Sequence, residues 1–217
     1  MQYSGGKGKT YQHIINLIPP HTTYIEAFLG GGAVMRHKRP ALKNIGIEID
    51  IIAHNALNTD VNFESICGNA FDYLKNYSFT GDEVVYCDPP YYPTTRSRDR
   101  VYRYDFNDED HRKLLTLLKS LPCKILLSGY DNDLYHQELS EWSKYEFTAK
   151  AHNGIRKESI WYNYPQPTKL HDPRYMGENF RERQNIKRRI DRLKQKIGNL
   201  SLPEQSAIRD WLLSVTN

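Results

Sequence analysis

Along the chain, short apolar runs closed by turn residues alternate with stretches in which apolar side chains return every three or four positions. The first pattern belongs to buried strands and the second to amphipathic helices. Thr23–Ala27, Asn44–Asp50, Glu64–Cys67, Val84–Tyr86 and Cys123–Ser128 therefore predict five strands. Ile14, Ile15 and Ile18 form the buried face of a first helix stopped by Pro19-Pro20. Phe28–Ala33 opens another, and Gly68–Asp72 leads into a third. Asn107-Asp108-Glu109-Asp110 starts a helix that carries Leu114, Leu115, Leu117, Leu118 and Leu121 and ends at Pro122. Asp131–Trp142 reads as one more helix. Lys144–Lys150 and Lys157–Tyr164 read as strands joined through residues 151–156, where Asn153-Gly154 is a hairpin signal. Strands alternating with helices predict an α/β domain on a mostly parallel sheet.

Beyond Tyr164 the pattern changes. Residues 166–177 are proline-rich and irregular and read as a linker between a domain at 1–165 and a helical extension at 178–217. Ile186, Ile190, Leu193, Ile197 and Leu200 are spaced 4, 3, 4, 3, a heptad-like seam too short to establish a coiled coil. Ser201-Leu202-Pro203-Glu204 has the form of a capping box, so a last helix runs through Ile208, Trp211 and Leu212. The net charge of +4 is unevenly placed: from Arg174 onward ten Lys/Arg face five Asp/Glu, a net of +5, which leaves −1 for everything before. A solvated basic helix pair, a homodimer contact and a rail along a nucleic-acid backbone all fit this tail.

No apolar run approaches the roughly 18 residues a membrane span needs, and the first residues do not resemble a signal peptide. A soluble cytoplasmic protein is expected. Cys67, Cys87 and Cys123 are widely separated, and no histidine pair has ligand spacing. That argues against a metal site and a disulfide framework.

The chemistry concentrates in Cys87-Asp88-Pro89-Pro90-Tyr91-Tyr92, where the fourth strand ends. Two prolines fix two φ angles and donate no N–H, leaving a stiff, acceptor-only edge between a carboxylate and two aromatic rings. Such an edge suits the planar exocyclic amine of adenine. Asp88 and the Pro89 carbonyl would accept its two hydrogens and free its lone pair, and Tyr91 would offer a stacking face. A Pro-Pro turn with a solvated aspartate is the plainer reading of the same residues.

Tyr3-Ser-Gly-Gly-Lys7-Gly-Lys9-Thr10 invites comparison with a P-loop, but Tyr3 stands where that motif needs glycine and no strand precedes it. A nucleotide-triphosphatase is excluded. The segment reads as a glycine loop entering a helix, with Lys7 or Lys9 near N–H groups that would hold a carboxylate. Gly30-Gly31-Gly32 allows a sharp turn after the first strand, and Glu48 and Asp50, about 20 residues on, suit a ribose hydroxyl pair. In residues 93–106, Arg96, Arg98, Arg100 and Arg103 alternate with Tyr102, Tyr104 and Phe106. That composition suits phosphate contact and base stacking, or a plain surface loop.

Taken in order, these motifs resemble the Dam-like family of S-adenosylmethionine-dependent DNA N6-adenine methyltransferases, over about residues 3 to 164. The resemblance implies a Rossmann-like fold with a seven-stranded mixed sheet, carrying here a C-terminal helical extension. It implies Tyr3 and Lys7 near the methionine end of S-adenosyl-L-methionine, with Glu26, Phe28, Gly30 and Gly32 lining its bed. Glu48 would bind the ribose, with Asp50 close enough to compete, and Asn69 and Phe71 would edge the adenine ring. Asp88, Pro89, Pro90 and Tyr91 would form the catalytic turn, with Asp88 also at the cofactor. DNA is the implied partner, its target base flipped out of the duplex. It would be met by Tyr92, Arg96, Arg98, Arg100, Arg103 and Tyr104, by Ser128 at the base pocket, and by Arg156 and Lys157. Only residues 73–87 lie where many members carry a helical target-recognition insert. Short or relaxed sequence specificity is therefore expected. Two rivals stand beside this reading: an amine methyltransferase acting on RNA or protein glutamine, and a non-catalytic DNA-binding module on the same fold.

Overall fold

The computed structural model describes residues 7–8, 10–57, 62–92, 103–151 and 154–215. It divides into two compact units, Met1–Asp172 and Pro173–Asn217.

The first unit is built on seven strands: β1 (Thr23–Glu26), β2 (Lys43–Glu48), β3 (Glu64–Cys67), β4 (Glu83–Cys87), β5 (Lys124–Gly129), β6 (Ser143–Ala151) and β7 (Gly154–Tyr162). They form one sheet in the order β3-β2-β1-β4-β5-β7-β6. The first five strands are parallel, and β7 enters antiparallel between β5 and β6. This is the mostly parallel α/β sheet predicted by the alternating pattern, in the seven-stranded mixed form that the resemblance implies. The central strands are covered on both faces and so lack a period of two; every residue of β4 is buried. Ile25, Ile45, Ile47, Val85, Ile125 and Leu127 pack in the core with Leu74, Leu114, Leu118 and Trp161.

Among the described residues six helices accompany the sheet: α1 (Tyr11–Ile15), α2 (Ala33–His37), α3 (Ile51–Asn55), α4 (Ala70–Asn76), α5 (Asp108–Ser120) and α6 (Asp133–Glu138). The start of α5 is a full capping box, Asn107 Oδ1 accepting from the Asp110 N–H and Asp110 returning the bond. α6 is shorter than expected because Leu139 leaves helical dihedrals, at φ −116° and ψ 27°. α3 was not foreseen. Its Ile51 and Ile52 are half exposed, so it shows no buried period, and it starts because Asp50 Oδ1 accepts the Ile52 N–H at 2.9 Å.

The hairpin also differs from its expected bounds. The β6–β7 ladder runs to Ala151↔Gly154, so Ala151 belongs to β6, and Gly154, Ile155 and Arg156 belong to β7 and not to the connection. The first unit extends past residue 165 to Asp172. Tyr164 donates to the Leu17 carbonyl at 2.8 Å, the His171 N–H to the Ile18 carbonyl at 2.9 Å, and the Arg39 N–H to Asp172 at 2.8 Å. Part of the expected linker is thus bonded into the domain.

The second unit holds a 3-10 turn (Pro173–Tyr175), α7 (Phe180–Gly198) and α8 (Leu202–Val215). Asn179 caps α7 through the Glu182 N–H at 3.0 Å, and Glu204 accepts from the Ser201 N–H and hydroxyl. Neither helix buries a residue. Among the described residues no helix is long and apolar enough to cross a membrane.

Candidate active site

The neighbours of β1 are β2 on one side and β4 on the other, so the connections leaving β1 and β4 diverge and open a crevice at the carboxyl end of the sheet. A cavity of about 310 Å³ lies there.

Its floor is the turn after β1. Gly30 and Gly32 take positive φ, 49° and 61°, a region that side chains with a Cβ rarely adopt. The turn is fastened to β2 by the Leu29 N–H donating to the Ile47 carbonyl and the Gly30 N–H donating to Glu48 Oε2, at 2.9 and 2.8 Å. Glu48 Oε1 accepts the Asp50 N–H at 2.9 Å. Gly46 admits this arrangement, because a Cβ there would come within 2.7 Å of the Leu29 side chain. Lys7, Glu26, Phe28, Gly30, Gly32, Glu48, Asp50, Asn69, Phe71, Asp88 and Pro90, spread over 84 positions of sequence, all line this one cavity.

One end is aromatic. Phe106 meets Phe28 edge-on, with centroids 5.7 Å apart, and lies 5.8 Å from Phe71. Asn69 Oδ1 caps α4 by accepting the Phe71 N–H at 2.8 Å, which sets both residues at the wall. The acidic rim follows, with Glu48 buried and Asp50 paired to Arg103 at 3.4 Å.

The other end is ionic. The Lys7 ammonium, 7 % exposed, lies 2.8 Å from Asp88 Oδ1, donates to the Tyr91 hydroxyl at 2.6 Å and stands 3.7 Å from Glu158. Tyr91 in turn donates to Glu158 at 3.3 Å, and its ring meets Tyr130 edge-on at 4.6 Å. Burial holds the Asp88 carboxyl above the ordinary range against the pull of Lys7. Burial alone would lower the Lys7 ammonium, but Asp88 and then Glu158 outweigh it and carry it above the usual lysine value. Lys7 is therefore charged. Burial also pushes Glu26 up to about 8, so a neutral acid lines the cavity beside Asp88.

The Glu26 shift predicts a pH-dependent stability. Between 4.5, its ordinary value, and about 8 the folded chain binds a proton that the unfolded chain has released. This contribution is fully present below 4.5 and lost as pH rises through 8. Glu26→Gln cannot ionise, so in the cofactor-free protein its melting temperature should exceed that of the wild type at pH 9 and match it near pH 5. The gap corresponds to at most roughly 4 kcal/mol. Parallel melting curves across that range would remove the effect.

The remaining expected residues are placed differently. Tyr3, Arg96, Arg98 and Arg100, with Lys9 and Tyr102, lie outside the described residues. Arg103 and Tyr104 are at the cavity mouth. Tyr92 donates to Asp108 and packs on His111. Arg156 donates to the Tyr130 hydroxyl at 3.1 Å, and Lys157 pairs with Glu146 at 2.6 Å. Ser128 is 1 % exposed, shares a hydrogen bond with the Tyr86 hydroxyl and does not line the cavity. It stands at the end of β5, where the expectation put it, with its hydroxyl engaged by Tyr86 of the neighbouring strand. The sequence reading assigned Phe106 to base stacking, whereas it walls the cavity. Glu158 and Tyr130 went unnoticed, since each is an isolated residue: the antiparallel seating of β7 brings Glu158 to Lys7 and Tyr91, and the pairing of β5 with β4 brings Tyr130, just past the end of β5, to Tyr91.

A doubly covered 3-2-1-4-5-7-6 sheet with this crevice is a Rossmann-like methyltransferase fold. The family model of the D12 class N6 adenine-specific DNA methyltransferases matches residues 3–67 and 46–157, and the chain belongs to that family. It is 31% identical over 126 residues to the type II methyltransferase M.FokI of Planomicrobium okeanokoites, a match covering 50% of this chain. The chain spans 19% of that relative. Among solved structures it is similar to an O-methyltransferase from Bacillus cereus in complex with SAH. That match has a TM-score of 0.50 and 12% identity, over 74% of this chain and 82% of the other. TrmK of M. capricolum with SAH is matched at TM-score 0.47 and 11% identity, over 93% and 94%.

As a member of this methyltransferase family the chain takes S-adenosyl-L-methionine as its cofactor, and the cavity suits it: an aromatic end for a purine, two carboxylates for ribose hydroxyls, and a charged end beside Asp88. The left-handed glycines keep the floor free of side chains where a ligand would approach most closely.

Proposed function

We propose that the protein methylates the N6 amine of adenine in DNA, with the target base flipped from the duplex. The observation that carries this reading is that Asp88 and Pro90 line the same cavity as Glu48, Asp50 and Phe71: the acceptor ledge borders the cofactor's own bed. In the bound state S-adenosylmethionine supplies an electrophilic methyl group on a sulfonium.

The chain's residues do the rest. Phe28, Phe71 and Phe106 take the purine of the cofactor, with the Asn69 amide hydrogens as donors at its edge. Glu48 and Asp50 accept from the ribose. Asp88 and the Pro89 carbonyl accept the two N6 hydrogens of the flipped base and turn its lone pair toward the methyl. As the nitrogen becomes positive, Asp88 stabilises it and is the first acceptor for the proton it sheds. Lys7 keeps Asp88 ionised and fixed, Glu158 balances Lys7, and the two bonds to the Tyr91 hydroxyl hold that ring in one orientation beside the base. Pre-organisation of this kind costs no rearrangement at the moment of transfer. With no insert at 73–87, reading of the target falls to Arg103, Tyr104, Arg156 and residues 93–102, and a short or relaxed site is expected.

Incubation of unmodified duplex DNA with the protein and cofactor, followed by nucleoside analysis, should yield N6-methyladenine. Methyl groups recovered only on RNA or on protein glutamine would overturn the reading. So would cofactor binding without any transfer.

A further inference from the structure

The excess positive charge of the tail is concentrated on α7, which carries eight Lys/Arg against Glu182 and Asp191. On the first unit, five surface cations are neutralised where they stand: Arg112, Lys113, Lys119, Lys144 and Lys157 each lie 2.5 to 2.7 Å from a carboxylate. None of the eight cations of α7 forms a salt bridge among the described residues. Arg183 and Arg192 instead donate to the carbonyls of Gly177 and Arg188, both at 3.3 Å. A basic face that is merely solvated gains nothing from excluding acids, and the rest of this chain does not exclude them.

The placement is ordered as well. At about 100° per residue, Arg181, Arg188, Arg189, Arg192 and Lys196 fall within an arc of about 100°. The only other residue on that arc is Asn185. The side chains leave an open polar trough lined by Asn185, Arg188, Arg189, Asp191, Arg192 and Gln195, with Asp191 its one acid. From Arg181 to Lys196 the face is roughly 22 Å long, which matches about six phosphates of one strand at 3.4 Å each.

We propose that this face of α7 is a second nucleic-acid contact, a rail that binds the phosphate backbone of duplex DNA without reading its sequence. The choice of DNA as the polyanion rests on the function proposed above. The arc contains no apolar side chain to enter a bilayer, which separates it from a helix that lies in a membrane interface.

The test is the salt dependence of binding, measured by fluorescence anisotropy on a mixed-sequence 30-base-pair duplex with the full chain. Each phosphate contact contributes about 0.9 to the slope of log affinity against log salt. The variant Arg181→Gln/Arg188→Gln/Arg189→Gln/Arg192→Gln should therefore lower the slope by about 3 to 4. Between 50 and 200 mM salt the wild type should lose roughly 100-fold more affinity than the variant. Replacing the same four residues by lysine should restore the slope, which shows that charge and not helix integrity is measured. An unchanged slope in the glutamine variant overturns the rail, as does a loss seen only on phosphatidylserine vesicles. The two proposals fail separately: N6-methyladenine with an unchanged slope removes the rail alone, and a lowered slope without N6-methyladenine removes the methylation reading alone.

Discussion

Asp88→Ala should reduce methyl transfer by at least about a thousandfold while the cofactor still binds within a few-fold of its wild-type affinity. The two effects separate because the carboxylate touches only one end of the cavity. The aromatic wall of Phe28, Phe71 and Phe106 and the acids Glu48 and Asp50 are built without it. What disappears is the acceptor that pyramidalises the target nitrogen and the negative charge beside the cation forming there. The loss should therefore appear in kcat and not in the dissociation constant of the cofactor, read by calorimetry. Asp88→Asn is the informative companion: its amide keeps one acceptor oxygen but loses the charge that faces Lys7 at 2.8 Å. It should fall between the wild type and the alanine variant. A turnover number unchanged in Asp88→Ala would remove this residue from the mechanism.

The sequence made the Asp88-Pro89-Pro90 segment and the glycine turn legible because proline and glycine constrain backbone locally. Asp88-Pro89-Pro90 can do little else at the end of a buried strand, and Gly30 and Gly32 were expected at a sharp turn and do take left-handed φ. The inner parallel strands were legible because each carries a short apolar run, whereas β3, Glu-Ser-Ile-Cys, is mostly exposed and was legible only from its turn-bounded length. What escaped depends on tertiary placement. α3 is a helix whose apolar residues face outward, so periodicity is silent and only its cap, Asp50, betrays it. That same residue had been read for ribose binding, and a single carboxylate can serve both as a cap and as part of the rim. Phe106 was one aromatic among several in an arginine-rich stretch, and nothing local separates a wall of the cavity from a stacking residue. Ser128 is legible as a strand-end residue, but its partner is not, because that depends on the pairing of β4 with β5. Its hydroxyl goes to Tyr86 inside the sheet. Glu158 required knowing that β7 runs antiparallel between β5 and β6, a fact that no stretch of ten residues contains.

Lys7→Met should cut methyl transfer at neutral pH by roughly 100-fold, and the loss should shrink as pH is raised. Asp88, Glu158 and the Tyr91 hydroxyl converge on this single ammonium. Without it two partly buried carboxylates face each other with no cation, and burial already holds Asp88 above the ordinary carboxyl range. The cheapest relief is to bind a proton. A protonated Asp88 donates where it must accept, so the active form exists only above its pKa and activity is lost as pH falls through it. Removing Lys7 moves that acid limb upward, so transfer at pH 9 should recover a good part of what is missing at pH 7. Glu158→Gln added to Lys7→Met takes away the second negative charge and should restore part of the neutral-pH rate, a non-additive result expected only if the three groups act as one unit. A deficit of the same size at every pH, with weakened cofactor binding, would instead assign Lys7 to holding the methionine end and not to keeping Asp88 ionised.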